Sequence, residues 1–330
     1  MADVTRPILG ADFLSEHKII VDCALRKIFR RTVNNILTSE NYQFSNTTVP
    51  KFYEKLISET QSIKTSQKPR VSFKIETNGR PVAQRQRRLF GERWEATKNE
   101  FDRLLKEGTI IPSKSDWASP LVLVKKSDGS WRPCGDYRML NEVTKPDKYP
   151  PPRINDLLYS ISGKALFSKL DLKKAYHQIP VDEQDRPKTA VITPFRLYEY
   201  VKMPFGLRNA AQTFQRHMDN VLTDMRDQCL WYIDDVLIFS NNAEDHHEHV
   251  KNVLSTLKKA DVEINKEKCV FERNKIDFLG FQITSEGVKP SESRADAILN
   301  LNTPRNIKEL RRFIGTIGYY HWLIPNLSEL

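Results

Sequence analysis

Two adjacent aspartates, Asp234 and Asp235, interrupt an otherwise apolar run over residues 228–240, QCLWYIDDVLIFS. Cys229, Leu230, Trp231, Tyr232 and Ile233 precede them and Val236, Leu237, Ile238 and Phe239 follow, types that favour buried strands. Two such runs around a short break predict a tight hairpin turning at Asp234 and Asp235. Tight hairpins ordinarily take Asn-Gly or Asp-Gly at the turn, whereas this one supplies two carboxylates and no glycine. Adjacent carboxylates in a buried setting repel each other unless a cation lies between them. The stretch alone fits a solvated surface turn and a metal site equally well.

Composition narrows the partner. The chain has 330 residues, enough for two or three subdomains, and a net charge of +10. Such an excess of Lys and Arg favours a polyanion and puts nucleic acid first. No run of about 18 apolar residues and no signal-peptide pattern occurs, so no membrane partner is expected. Cys23, Cys134, Cys229 and Cys269 are widely spaced with no C-x-x-C pair, which argues against a zinc ribbon or a disulfide framework and suits a reducing, intracellular compartment.

A second carboxylate motif lies upstream. Residues 165–179, ALFSKLDLKKAYHQI, begin as a strand through Leu166, Leu170 and Leu172 and break into a short helical stretch closed by Pro180, leaving Asp171 at the strand end. Residues 117–138, WASPLVLVKKSDGSWRPCGDYR, predict strands Leu121–Val124 and Trp131–Cys134 around a turn at Ser127, Asp128 and Gly129. Lys125, Lys126 and Arg132 beside that turn suit a triphosphate, since arginine forks two phosphate oxygens and lysine adds a point charge. Three carboxylates at one sheet edge with a basic tip nearby are what two-metal phosphoryl transfer requires, with ions about 3.5 to 4 Å apart.

The remaining segments read more plainly. Residues 31–90 are polar with little periodicity and predict a linker with short ordered pieces, ending in the basic stretch Arg80 to Arg88. A helix is expected over 92–106, with Trp94, Phe101, Leu104 and Leu105 on one face and Gly108 as its stop. Residues 148–153, KYPPPR, read as a stiff connector. Helices are expected over 210–226, with Phe214, Met218, Val221, Leu222 and Met225 as core, and over 245–260, with Val250, Val253, Leu254 and Leu257 inward. His246, His247 and His249 have no further ligand at zinc spacing and predict a solvated helix start. Residues 289–330 read as helices, with Arg305 to Arg312 placed to follow a phosphate backbone.

Taken together, LDLKKAYHQI, MPFGLRNAAQTFQ and YIDD, flanked by WASPLVLVKKSDGSWRPCGDYR and FLGFQIT, resemble the reverse transcriptase of gypsy-type LTR retrotransposons from about Arg80 to Leu330. Ile8 to Asp22 resembles the C-terminal helix and last strand of retropepsin-type proteases, which precede the polymerase in such Pol polyproteins. The protease triplet D-T-G or D-S-G is absent from the chain, so protease activity from it alone is not expected.

The resemblance implies an α+β right-hand polymerase fold with an antiparallel palm sheet. The parts it implies are a protease remnant over 1–30, the linker over 31–90, fingers over 91–152, a palm over 153–288 with a fingers insertion near 180–210, and a thumb over 289–330. It implies Asp171, Asp234 and Asp235 as catalytic, metal-binding aspartates with the Leu172 carbonyl as a further ligand, Asp235 being the least direct. Tyr176 matches the steric gate against a 2′-hydroxyl, Phe205 floors the nucleotide pocket, and Gly206 lets the backbone approach. Lys125, Lys126 and Arg132 would hold the dNTP, and Phe278, Leu279, Gly280 and Phe281 match the primer grip. Two Mg2+ ions, or Mn2+ in their place, are the implied cofactors. An RNA or DNA template with its primer, and ribonuclease H and integrase portions of Pol, are the implied partners, in the cytoplasm within virus-like particles.

Tyr176 and Phe205 also fit as plain core aromatics. Arg196 stands where relatives carry glycine, Trp231 where a smaller residue is usual, and His321 with Trp322 where a basic and aromatic run is usual. Arg196 would strain a turn needing positive φ and Trp231 would crowd the hairpin. The rival expectations are a template binder that cannot polymerise and a segment active only within a larger Pol.

Overall fold

The computed structural model describes residues 19–22, 27–30, 50–61, 71–126 and 129–323. The expected helix before Ile19 and the end of the last helical region, 324–330, lie outside the described residues. The strand expected near Val21 is present as Ile19–Asp22, paired antiparallel with Lys27–Arg30.

The centre is a four-stranded antiparallel sheet. Its order is Val270–Arg273, Leu166–Asp171, Asp235–Ser240 and Cys229–Tyr232. The VLIF run is apolar throughout because both sheet faces are covered. Val236 and Ile238 join one core with Leu170, Phe214, Met218, Val250, Val253 and Leu254. Leu237 and Phe239, alternating to the other face, join Phe167, Leu230, Ile276, Phe278, Phe281 and Ile283 in a second core. A strand buried on two sides has no polar alternation to show, which is why its sequence reads as a continuous apolar run.

Two helices cover the first face. Ala210–Leu222 presents Phe214, Met218 and Leu222, and stops at Leu222 before a 3-10 turn at Thr223–Met225, shorter than the expected 210–226. Ala243–Lys259 is capped by Asn242, whose side-chain oxygen accepts from the Asp245 amide at 2.9 Å, and it buries Val250, Val253, Leu254 and Leu257 as expected. Its histidines depart from expectation. His246 is fully buried, its ring nitrogens 2.7 Å from Ser168 Oγ and 2.9 Å from Ser240 Oγ, so it pins the helix to both central strands. Burial lowers its pKa to about 4, which keeps the ring neutral.

The second face is covered by a three-stranded sheet, Lys275–Phe278, Phe281–Thr284 and Gly287–Pro290, followed by helices Glu292–Leu299 and Ile307–Tyr319. A five-stranded sheet stands beside the centre, in the order Ile110–Pro112, Leu197–Tyr200, Val191–Ile192, Ser119–Lys125 and Trp131–Gly135. The helix Glu92–Lys106 forms where expected, with Glu92 and Glu95 in its first turn and Arg103 and Lys106 in its last, matching the helix dipole. Its buried stripe is Thr97, Phe101 and Leu104, while Trp94 and Leu105 remain exposed.

The 31–90 stretch holds more order than a linker. Lys51–Gln61 is helical and sinks Tyr53, Leu56 and Ile57 into the main core, a one-sided spacing masked in sequence by its polar neighbours. Phe73 and Ile75 are buried too, the Ile75 amide donating to Asp185 Oδ2 at 2.8 Å. Arg196 is not strained. It lies in a turn closed by Thr193, whose amide donates to the Arg196 carbonyl at 3.0 Å, and it is not among the residues with positive φ.

Candidate active site

The hairpin that brings the carboxylates together turns one residue earlier than the sequence predicts. Tyr232 pairs with Asp235, so Ile233 and Asp234 form the two-residue loop and Asp235 begins the next strand. Ile233 has a φ of 57°, a left-handed conformation for a β-branched residue, which costs roughly 1 to 3 kcal/mol and must be held by its surroundings. Asp235 in turn faces Asp171 directly across the antiparallel pair. Residues distant in sequence thus meet at one sheet edge through register alone.

Asp171 is fixed from its far side. Its carbonyl accepts from the Asn265 amide at 2.8 Å and Leu172 bridges Ile264, which ends the strand at the aspartate. Lys174, at φ 48°, then turns the chain into the 3-10 stretch Ala175–Gln178 and brings Tyr176 back toward the hairpin. Desolvation by the surrounding protein, with the charges of Asp235 and Asp171, raises the Asp234 pKa. Asp235 is instead engaged by Lys169, Nζ to Oδ1 at 2.8 Å. Among the described residues, no group of three or more His, Cys, Asp or Glu side chains is gathered as a metal cage. The donors nevertheless fit a hard divalent cation, since they are all oxygens, three of them carboxylates whose mutual repulsion a positive ion would relieve.

Tyr176, Phe205 and Arg132 form one cluster beside this edge. The Tyr176 ring meets Phe205 edge-on at 4.9 Å and Phe214 at 5.6 Å, and the Arg132 guanidinium lies over Phe205 at 4.4 Å. Burial, with Asp234 and Tyr232 nearby, pushes the Tyr176 hydroxyl up to about 12, so it stays protonated. Gly206 has a φ of 91°, which only glycine adopts without strain, and its carbonyl accepts from Asn141 Nδ2 at 2.8 Å. Lys125 and Lys126 are exposed on the hairpin Ser119–Lys125/Trp131–Gly135, the Lys125 ammonium 6.0 Å from the Trp131 ring. Behind that hairpin Arg138 and Arg87 both bind Asp136, holding its carboxyl well below the usual carboxylate range.

Phe278 and Phe281 are fully buried and pair with each other, leaving Leu279 and Gly280 as the turn. Lys169 also lies 5.7 Å from the Phe278 ring, so this second hairpin touches the aspartate edge through one lysine. Two concavities, of about 220 and 320 Å³, run along the basic segment instead. Arg87, Arg88, Arg93 and Trp131 line one, and Phe90 and Trp94 the other, neither touching the aspartates.

Trp231 does not crowd the hairpin. It is buried and its indole nitrogen donates to Asp219 Oδ1 at 2.7 Å. Sequence reasoning missed Lys169, Gln215 and Asp219. The one signal available was Gln215 itself, an amide lying beside Phe214 on the core-facing stripe of its helix, where a polar group needs a partner.

Comparison with known proteins bears on the family and the fold. The reverse transcriptase (RNA-dependent DNA polymerase) family model matches residues 124–283. The Retrovirus-related Pol polyprotein from transposon 297 of Drosophila melanogaster is 38% identical over 260 residues, 77% of this chain and 25% of that protein. The Transposon Tf2-3 polyprotein of Schizosaccharomyces pombe is 39% identical over 237 residues, 72% of this chain and 18% of that protein. The chain thus spans a quarter or less of these relatives. A foamy viral protease-reverse transcriptase solved in complex with double-stranded DNA aligns with a TM-score of 0.73 at 23% identity, covering 86% of this chain and 52% of that one. Another, in complex with an RNA/DNA hybrid, gives 0.70 at 22%, covering 84% and 38%.

The fold is therefore the α+β fold of the right-hand polymerases, and its central part is a nucleotidyltransferase domain of the RNA-directed DNA polymerase class. More particularly, the chain carries a reverse transcriptase region of the retrotransposon Pol type.

Proposed function

We propose that this chain extends a primer on an RNA or DNA template by transferring deoxynucleoside monophosphates to the primer 3′-hydroxyl. The observation that carries the reading is the register that sets Asp235 opposite Asp171, with Asp234 in the adjoining turn. Asp171, Asp234 and Asp235, with the Leu172 carbonyl, would hold Mg2+. Such ions, when bound, lower the charge cost of the attacking hydroxyl and the departing pyrophosphate. The chain's own contribution is placement. Tyr176, packed edge-on against Phe205, presents a bulky ring where a 2′-hydroxyl would sit, and Arg132 offers its fork to phosphate oxygens. Lys125 and Lys126 add positive charge to that side. Leu279 and Gly280 at the second turn would support the primer end, with Phe278 and Phe281 as its buried base.

In this reading residues 91–152 are fingers, 153–288 palm with a fingers insertion near 180–210, and 289–330 thumb. The exposed arginines and aromatics between Arg87 and Trp94, with Trp131, suit a single strand that offers phosphates and stacking bases. The test is primer extension on an RNA template with Mg2+ and deoxynucleotides, run beside Asp234→Asn. The parent is expected to extend, and the variant to lose extension while retaining primer-template affinity. Extension by Asp234→Asn at near the parent rate refutes the assignment of the aspartates, and binding without extension by both proteins leaves a template binder.

A further inference from the structure

The turn that carries Asp234 has nothing in its own sequence to hold it. Ile233 occupies a left-handed conformation, and its amide does not bond within the hairpin but donates to Gln215 Oε1 at 2.7 Å. Gln215 is fully buried on the helix Ala210–Leu222, and its Nε2 donates to Asp219 Oδ1 at 2.9 Å, one turn further along. The same Asp219 oxygen accepts from the Trp231 indole at 2.7 Å, and its second oxygen accepts from the Tyr149 hydroxyl. Arginines close both ends. Arg216 lies over the Tyr149 ring at 4.5 Å and bonds Asp147 at 2.7 Å, and Arg226 lies over Trp231 at 5.1 Å.

Each bond in this chain has a fixed direction. Asp219 accepts from Gln215, Trp231 and Tyr149, so it orients the Gln215 amide with its nitrogen toward Asp219 and its oxygen toward Ile233. An amide turned the other way would set a donor against the Ile233 N–H. Trp231 anchors the arrangement from the strand that enters the turn, and Tyr149 ties it to the connector after Lys148. The helix thus grips the hairpin at the strained residue itself and on the strand that enters it.

We propose that Gln215, Asp219 and Trp231 are positioning residues that hold the Ile233 peptide in its left-handed turn and so set the spacing of Asp234 and Asp235 for a divalent ion. The proposal rests on the polymerase reading only for the identity of the ion's use. None of the three residues touches the ion or substrate, and the effect passes through the backbone of Ile233.

The experiment titrates Mn2+ by electron paramagnetic resonance into the whole chain bound to a primer-template duplex, counting the sites lost in Asp234→Asn. Mg2+ half-saturation of extension is measured in parallel. Gln215→Met keeps the reach but removes the acceptor, and Trp231→Phe keeps an aromatic ring, though a smaller one, but removes the donor. Gln215→Met is expected to weaken both ion constants threefold or more and to lower kcat, with the primer-template KM unchanged within twofold. Trp231→Phe is expected to shift them in the same direction by less. A lower melting temperature with unchanged ion constants overturns the proposal, since a purely structural role does that. Should Gln215→Met fail to fold, unchanged ion constants in Trp231→Phe overturn it equally. A parent that binds Mn2+ without extending primer refutes the polymerase reading alone, whereas a parent that binds no Mn2+ at the aspartates refutes both.

Discussion

Two hairpins of the same loop length lie near the aspartate edge and are held by opposite means. In one, Leu279 and Gly280 link Phe278 to Phe281, with φ of 52° and 81°. Positive φ at both positions is the primed turn that matches strand twist, and glycine supplies the harder of the two locally. In the other, Ile233 and Asp234 link Tyr232 to Asp235, with positive φ at the β-branched residue and no glycine. Its conformation is imposed from the helix Ala210–Leu222 through Gln215. A turn that must present carboxylates gives up the residue that would make it easy, and the surrounding fold supplies what the turn lacks.

The comparison can be broken most forcefully at the aspartate turn. Asp234→Asn keeps size and shape but removes a charge, and extension is expected to drop by on the order of a hundredfold or more, read as single-nucleotide incorporation. The glycine turn answers in stability instead. A Cβ on Gly280 would stand 2.3 Å from Arg294 Nε at a φ of 81°. The arginine end can swing away but the backbone cannot, so Gly280→Ala is expected to cost about 1 to 3 kcal/mol in chemical denaturation. Ile233→Gly should do the reverse. Relief of the left-handed strain and the greater freedom of the unfolded chain offset each other, so stability is expected to move by less than about 1 kcal/mol. Extension should nevertheless fall several-fold as the turn loosens. Equal responses of Ile233→Gly and Gly280→Ala in both assays would erase the distinction between the two hairpins.

The smallest expected effect is one of pH. His246 braces both central strands toward their end away from the aspartate turn and has its pKa lowered from 6.5 to about 4 by burial, as His177 does. The unfolded chain therefore binds more protons in this window. The stability these rings contribute is fully present above pH 6.5 and is lost as pH falls toward about 4. His246→Gln is expected to flatten that slope, measured as denaturation midpoint against pH. The Leu279–Gly280 hairpin, built on Phe278 and Phe281, should keep its amide protection over the same range.

Much of this site was legible in the sequence because its parts are local. The apolar runs flanking Asp234 and Asp235 predict the hairpin, Gly108 marks the end of the helix Glu92–Lys106, and Val250, Val253, Leu254 and Leu257 fall inward as their spacing requires. The parts that escaped depend on partners far along the chain. The turn shifts by one residue because strand register, not local preference, decides it. His246 reads as a solvated residue at a helix start until Ser168 and Ser240 are brought to it by the sheet. Trp231 reads as an oversized intruder until Asp219 accepts its indole proton. The helix Lys51–Gln61 is hidden by its polar neighbours, since only Tyr53, Leu56 and Ile57 reveal which side it buries.

The pairing of Asp171 with Asp235 also sets a schedule for the nascent chain. The strand ending at Asp171 leaves the ribosome before its central neighbour has been made. At synthesis rates of about 5 to 20 residues per second, the roughly sixty residues between them take several seconds to appear. During that interval a strand that carries Phe167 and Leu170 for two different cores is unpaired along both edges and exposed to other chains. A burst of slow codons between the two strands would lengthen the exposure, and a chaperone that covers Leu166–Asp171 would be most useful there.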